Sequence, residues 1–189
     1  ESGSFYGKLP MRFSIVKAYL QFVFLLVLVA LVSGQPDHKW NQADMRRLFH
    51  PYVGRWAGEW TITDIEGTII KRITLQQQYW WDKGHLKGLM VFKDRGSVSN
   101  LTSDIYLDGG RIISEVVSSE ERNFYRGHPQ EDILLWTPMK HEDVLRRRIK
   151  EYIQLREGET WFISEGFERF IDGDKAETLL FRVELKKLA

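Results

Sequence analysis

The stretch YVGRWAGEWTIT, from Tyr52 to Thr63, alternates its smallest and largest residues at every second position. Because residues two apart on a β-strand share a face, these glycines and tryptophans are expected to point the same way. Glycine lets a strand bend and approach its neighbour closely, and the adjacent indole fills the space that glycine leaves. The pattern therefore predicts the first strand of a coiled barrel sheet. The barrel-closing structural positions would be Gly54, Trp56, Gly58 and Trp60.

Turn residues divide the rest of the chain into short strands. Glycine-containing turns are predicted at 66–67, 82–84, 94–96, 108–110, 127–129, 157–159 and 172–174. One helix is predicted, from Asn41 as its N-cap to His50, with Pro51 as its stop. Regular short strands with such turns are typical of a sandwich or a barrel. We therefore predict an all-β fold, an up-and-down antiparallel barrel of eight to ten strands with a short N-terminal helix, because closure leaves no long exposed edge.

The N-terminal segment has the composition of a targeting sequence. Residues 11–34 contain a basic start, an apolar run from Phe22 to Val32, and a small-residue end at Ser33 and Gly34, as in a secretory signal peptide. A membrane anchor is the alternative, but a span needs roughly 20 apolar residues and Gln21 shortens the run. The expected division is residues 1–10 as upstream or vector-derived sequence, 11–34 as signal peptide, and 35–189 as one secreted or periplasmic calycin-like β-barrel domain.

Charge and cysteine content narrow the classes of partner. The whole chain carries a formal charge of +1, and residues 1–34 contribute three basic and one acidic residue, so residues 35–189 carry 1 − 2 = −1. This balance favours neither nucleic acid nor a membrane as partner after signal cleavage. The basic run at 146–148 is interpreted as a solvated strand face. Cysteine is absent, so stability must come from the core.

Motifs of common catalytic and metal sites are missing. The sequence contains no G-x-S-x-G elbow, no glycine-rich phosphate loop, no H-E-x-x-H and no cysteine nucleophile. No pair of histidines has zinc-site spacing, so surface positions are expected for them. No catalytic residue, metal or cofactor is therefore predicted. Asn100-Leu101-Thr102 is a glycosylation sequon, relevant only in a eukaryotic source. The histidines are His38, His50, His85, His128 and His141.

Strand alternation places two charged residues inside the predicted barrel. In LRRRIKEYIQL, residues 145–155, the period of two sends Arg147 and Glu151 to the same inner face as Leu145, Ile149, Ile153 and Leu155. A charge inside a barrel is costly unless it is paired or solvated. Three alternatives are open: both groups reach water, they pair with each other, or Arg147 receives an anionic ligand. The candidate ligand-binding residues are Arg147, Glu151, Tyr79 and Gln77.

The opening motif also resembles a known group of barrels. Gly54-Arg55-Trp56 after a short helix resembles the calycin superfamily of lipocalins and fatty-acid-binding proteins. The longer run from Gly54 to Glu59, and YLDGG at 106–110, resemble nitrobindin-type barrels and related uncharacterised lipocalin-like domains. This resemblance implies a cavity for a small, mainly apolar ligand. It does not extend to haem, because nitrobindin-type barrels use a histidine near the C-terminal end and none follows Trp161 here.

The expected function is therefore binding of a small hydrophobic or amphipathic molecule by an exported barrel. One alternative is an enzyme, an isomerase or hydrolase, that uses a polar barrel cavity. Another is a structural or interaction module whose barrel is filled by Trp56, Trp60, Trp80 or Trp161. A ligand site needs a cavity of roughly 300 Å³ or more, and perturbed carboxylates in a polar cavity would favour the enzyme.

Overall fold

The computed structural model describes residues 38–94, 96–140, 146–172 and 175–189, without the side chains of 171, 172, 175 and 176. These residues form one compact unit, Lys39–Ala189. The predicted signal peptide, His141 and Leu145 lie outside the described residues. Among the helices described, none is long and apolar enough to cross a membrane.

Ten antiparallel strands follow one short helix in the described part of the chain. Each strand pairs with its neighbours in sequence, and the last strand pairs with the first, so the sheet closes. The prediction of an all-β, up-and-down barrel with a short N-terminal helix is therefore confirmed. The elements are α1 (Gln42–Phe49), a 3₁₀ turn (His50–Tyr52), β1 (Gly54–Thr63), β2 (Ile69–Asp82), β3 (His85–Asp94), β4 (Ser97–Asp108), β5 (Arg111–Val117), β6 (Arg122–Gln130), β7 (Ile133–Pro138), β8 (Arg147–Arg156), β9 (Glu159–Asp172) and β10 (Lys175–Lys187).

Helix α1 begins at its predicted cap and covers one end of the barrel. The Asn41 side-chain oxygen accepts hydrogen bonds from the backbone N–H groups of Ala43 and Asp44, at 2.9 and 3.0 Å, which satisfies two helix N-terminal donors. Met45 and Phe49, on one face of α1, are fully buried. Phe49 stacks on Trp136 of β7 with ring centroids 6.4 Å apart. Met45 and Phe49 of α1, together with Trp136, therefore form a packed layer at this end of the barrel, which we call the aromatic floor.

The glycine–tryptophan alternation explains how β1 joins β10. A Cβ on Gly58 would lie 2.0 Å from the Glu184 carbonyl oxygen, so only glycine allows this approach of the two strands. Trp56 is 1% exposed, and its indole nitrogen donates to the Tyr52 carbonyl at 2.8 Å. Trp60 packs further along the barrel, against Phe92 and Phe181. Gly58 thus permits the close approach of β1 to β10, and the large side chains of Trp56 and Trp60 fill the barrel interior on either side of it.

Two local predictions are wrong. The GHP segment at 127–129 is not a turn but part of β6, and the turn follows at Glu131. Gly127 is needed there because a Cβ would lie 2.9 Å from the Trp136 ring. Leu155 was expected inside but is 72% exposed, because it stands at the end of β8 beside the hairpin turn at Glu157 and Gly158.

The outer face of β8, β9 and β10 carries a chain of ion pairs. Such pairs contribute little individually at a surface, but here they link three neighbouring strands. Arg146 and Arg148 of the basic run are exposed, in agreement with the interpretation as a solvated face. The pairs are Lys150–Glu165 at 2.9 Å, Arg182–Glu165 at 2.8 Å, Arg182–Glu184 at 3.0 Å and Arg156–Glu184 at 2.9 Å.

Replacing Gly58 by alanine should destabilise the barrel by about 3 kcal/mol, because the new methyl group forces the β1 and β10 backbones apart. Gly67→Ala is the matched control: its φ is +88° and nothing lies within 4 Å of the added Cβ. Only the conformational cost, about 1 kcal/mol, is expected there. Urea unfolding of both variants measures the difference, and equal losses would contradict a steric role for Gly58.

Candidate ligand site: a cavity inside the barrel

A cavity of about 300 Å³ lies inside the barrel. Its described lining comes from the strands and from Ser118 and Glu121 in the turn between β5 and β6, and it includes no residue of α1. Aliphatic and aromatic side chains, such as Met90, Ile105 and Val116, form walls between a few polar groups. A largely apolar interior with a small number of fixed polar groups is the usual composition of a small-molecule site.

All four candidate ligand-binding residues line this cavity. Gln77 and Tyr79 face it because β2 alternates buried and exposed residues along its central part. Arg147 and Glu151 face it from β8, as the period of two predicted. The structure thus brings the four side chains to one cavity, and their contact with a ligand stays a prediction.

Arg147 has a different partner from the one that the sequence suggested. Its guanidinium forms an ion pair with Glu168 of β9 and donates to the Tyr125 hydroxyl at 2.6 Å. Glu151 is four residues away along an extended strand, about 13 Å, which is too far for a direct pair. Glu168 stands directly opposite Arg147 in the β8–β9 register. The internal Arg147–Glu151 pair is therefore replaced by a cross-strand pair.

Glu151 occupies a more enclosed part of the cavity. Its carboxylate accepts a hydrogen bond from the Trp136 indole at 2.7 Å and another from the Ser164 hydroxyl. Glu151 is half-buried and lines the cavity, and its carboxyl group is buried. Burial raises the pKa of Glu151 to about 7, and the two hydrogen bonds only partly oppose this rise.

The charge of Glu151 acts on two buried tyrosines, Tyr52 and Tyr79. Burial raises the pKa of Tyr52 and that of Tyr79 far above their ordinary value, and the negative charge of Glu151 adds to both effects. Both hydroxyls therefore stay protonated at any physiological pH. The charge of Glu151 therefore changes around neutrality while these two tyrosines stay neutral.

Two buried polar atoms in the cavity wall lack hydrogen-bond partners. They are the Gln77 side-chain oxygen, an acceptor, and the Trp60 indole nitrogen, a donor. Gln77 is only 4% exposed. Since buried polar groups are nearly always bonded, these two atoms are exceptions among the described residues.

Sequence reasoning missed four residues that define the site: Glu168, Tyr125, Trp136 and Ser164. On β9, alternation alone would have placed Ser164 and Glu168 on the inner face with the buried Phe162. It would not have paired Glu168 with Arg147, because that pairing depends on the β8–β9 register. Tyr125 was missed because the 127–129 segment of its strand was predicted to be a turn. Trp136 alternates with half-buried neighbours and shares a face with the buried Leu134 on β7, a signal that could have placed it inside.

Metal-binding geometry is not found among the residues that the structure describes, since none of their His, Asp and Glu side chains form a group of three. His38 and His50 are exposed. His85 bonds to Asp104 through Nδ1 at 2.9 Å and stacks on Tyr106. His128 contacts the Thr137 hydroxyl at 3.0 Å.

Comparison with known proteins yields little. No family model matches the sequence, and no curated protein matches it. Among solved structures, a protein with unknown function from the DUF3598 family of Nostoc punctiforme is similar, with 10% identity and a TM-score of 0.26. The match covers 75% of this chain and 98% of that chain. A TM-score of this size supports no functional inference.

Removing the Arg147 charge should lower the free energy of unfolding by about 1 kcal/mol, because Glu168 loses its counter-ion and Tyr125 its donor. Arg147→Met tests this, with the exposed Arg146→Met as an unchanged control. A double-mutant cycle with Glu168→Gln should show coupling, whereas a cycle with Glu151→Gln should be additive. Coupling with Glu151→Gln and additivity with Glu168→Gln would instead show that Arg147 pairs with Glu151.

The stability of the barrel should depend on the titration of Glu151. An unfolded chain ionises this carboxyl near 4.5 and the folded protein near 7, so the folded state binds more protons between these values. Its contribution to stability therefore falls by up to about 3 kcal/mol as pH rises through this interval.

Glu151→Gln should remove that fall, so the variant gains stability relative to the natural protein as pH rises from below 4.5 to above 7. Chemical denaturation across this range measures the gain. Glu115→Gln, which removes a carboxylate from the outer face of β5, is the matched control. A variant that differs from the natural protein by the same amount at every pH would refute the buried titration.

Proposed function

We propose that the protein binds a small amphipathic molecule inside its barrel. The observation that carries this proposal is the cavity of about 300 Å³, which lies at the lower end of the range for small-molecule sites. One end of the barrel is packed solid by α1 and the aromatic floor. The rest of the barrel interior is not filled by side chains and contains the cavity.

The unpartnered atoms support an amphipathic ligand over a pure hydrocarbon. The Gln77 oxygen requires a donor and the Trp60 indole nitrogen requires an acceptor. Leaving a buried polar group unbonded costs about 1–3 kcal/mol. A molecule with an apolar body and both kinds of polar group would regain this free energy on binding.

Calycin-like ancestry and export are part of the same proposal. The G-x-W motif opens β1 directly after a helix that covers the barrel floor, and the barrel is closed with up-and-down connections. This barrel has ten strands, against about eight in lipocalins, which widens its interior. Export is supported by the signal-type composition of residues 11–34.

A second candidate is an enzyme of the isomerase type, and one observation favours it. A carboxyl with a pKa of about 7 is suited to give and take protons near neutral pH, and Glu151 faces the cavity. Chemical analysis of the bound molecule after long incubation separates the two functions, because a binding protein returns it unaltered.

The filled-barrel alternative has less support. Trp80 is 39% exposed, and Trp161 lies under the Arg156 guanidinium, 5.5 Å from the ring centroid. Neither belongs to the described cavity lining, so two of the four tryptophans expected to fill the interior do not reach it.

The probe N-phenyl-1-naphthylamine, whose fluorescence increases in apolar surroundings, should bind with one molecule per barrel. Val116→Trp should weaken this binding at least about tenfold, because Val116 lines the cavity and an indole would occupy much of its volume. Fluorescence titration provides the dissociation constants.

Val117→Trp is the matched control, since Val117 follows on the same strand but points to the other face. Its binding should equal that of the natural protein. Equal binding by Val116→Trp and the natural protein would place the probe outside the barrel and reject the proposal.

A further inference from the structure

The charges that line the cavity are unequal in number. The described lining contains the cation Arg147 and the three carboxylates Glu121, Glu151 and Glu168. Walls of low dielectric constant focus the field of such groups into the cavity. The excess of negative charge favours a positively charged group in a ligand.

The cation is already neutralised. Arg147 pairs with Glu168 and donates to the Tyr125 hydroxyl, and its side chain is 28% exposed. An anionic head group would have to displace Glu168, a carboxylate held directly across the strand pair. The expectation of an acidic ligand on Arg147 thus loses its support.

Glu151, in contrast to Arg147, has no ion-pair partner among the described residues. Its described partners, the Trp136 indole and the Ser164 hydroxyl, are neutral donors, and within the described residues no cation forms an ion pair with it. A shielded carboxylate without a cation is the most favourable position in the cavity for an ammonium group, which supplies charge and several donors at once.

Two further features suit an ammonium group. The Gln77 side-chain oxygen is a buried acceptor without a partner, and it lines the same cavity as Glu151. The aromatic rings of Tyr79, Tyr125 and Trp136 also belong to the lining, and ring faces attract cations. Acceptors and aromatic faces together are the typical surroundings of a bound amine.

We propose that the ligand is a small apolar amine, with Glu151 as the counter-ion of its ammonium group and the Gln77 oxygen as a further acceptor. This inference rests on the proposed binding function and specifies its ligand class. The apolar body of the amine lies against the aliphatic wall of the cavity. The chemistry required is a protonated primary or secondary amine on a hydrocarbon or aromatic body.

Three probes of equal chain length test the head group: octylamine, octanol and octanoate. Isothermal titration calorimetry at about pH 8, above the pKa of Glu151, should rank octylamine tightest and octanoate weakest. Glu151→Gln should weaken octylamine by about 10- to 100-fold, the size of a charge-assisted hydrogen bond, and leave octanol nearly unchanged. Retained octanol binding shows that the variant is folded. Glu115→Gln, an outer-face carboxylate, should change none of the three.

Acidification provides a second readout. Below the pKa of Glu151, about 7, octylamine affinity should fall towards that of octanol as the carboxyl becomes neutral. Tyr52 and Tyr79 stay protonated throughout, so neither accounts for such a change. The Glu151→Gln variant should show no corresponding fall.

Each other outcome has a definite meaning. Octanoate binding more tightly than octylamine, or equal binding of all three probes, would overturn the amine proposal while the barrel remained a binding protein. Failure of all three probes and of N-phenyl-1-naphthylamine to bind would instead reject the binding function itself, and the amine proposal with it.

Discussion

The approach of β1 to β10 is the contact on which the rest of the structure depends. At Gly58 the two backbones come so close that the position of a side-chain carbon is taken by the Glu184 carbonyl oxygen. The seam continues to the end of β10, where the Lys187 ammonium lies over the Trp56 ring and the N–H of the next residue, Leu188, bonds to the Arg55 carbonyl at 2.8 Å. Without this closure the sheet would have two open edges, and the side chains that now face the barrel interior would be exposed to solvent.

Closure also determines how charge is distributed inside. Once the sheet is a barrel, inward positions on β8 and β9 face a common space with little access to water. Arg147 and Glu168 compensate each other there, whereas Glu151 is held by neutral donors. The difference follows from which residues the register places opposite each other: Glu168 faces Arg147 and Ser164 faces Glu151. The cavity is acidic because of this arrangement.

Much of the fold was predictable because its signals are local. Alternation along β8 correctly assigned Arg147 and Glu151 to the interior, and YLDGG marked the β4–β5 hairpin, where Gly109 and Gly110 have positive φ. The partners of the interior charges were not predictable, because a cross-strand pair depends on hairpin length and register. A glycine in the sequence can mark either a turn or a close contact across a strand pair, and the second also depends on register. Gly127 makes room for a ring on the neighbouring strand, but it was interpreted as part of a turn.

The connectivity of the barrel has a consequence for how it forms. Nine of the ten strand pairings in the described barrel join consecutive strands, and the tenth joins β1 to β10, at opposite ends of the folded unit. Consecutive strands close short loops at little entropic cost, whereas the last pairing must bring together the two most distant strands. We therefore expect an open, curved sheet to precede the closed barrel during folding, with the seam at Gly58 as the late and rate-limiting step.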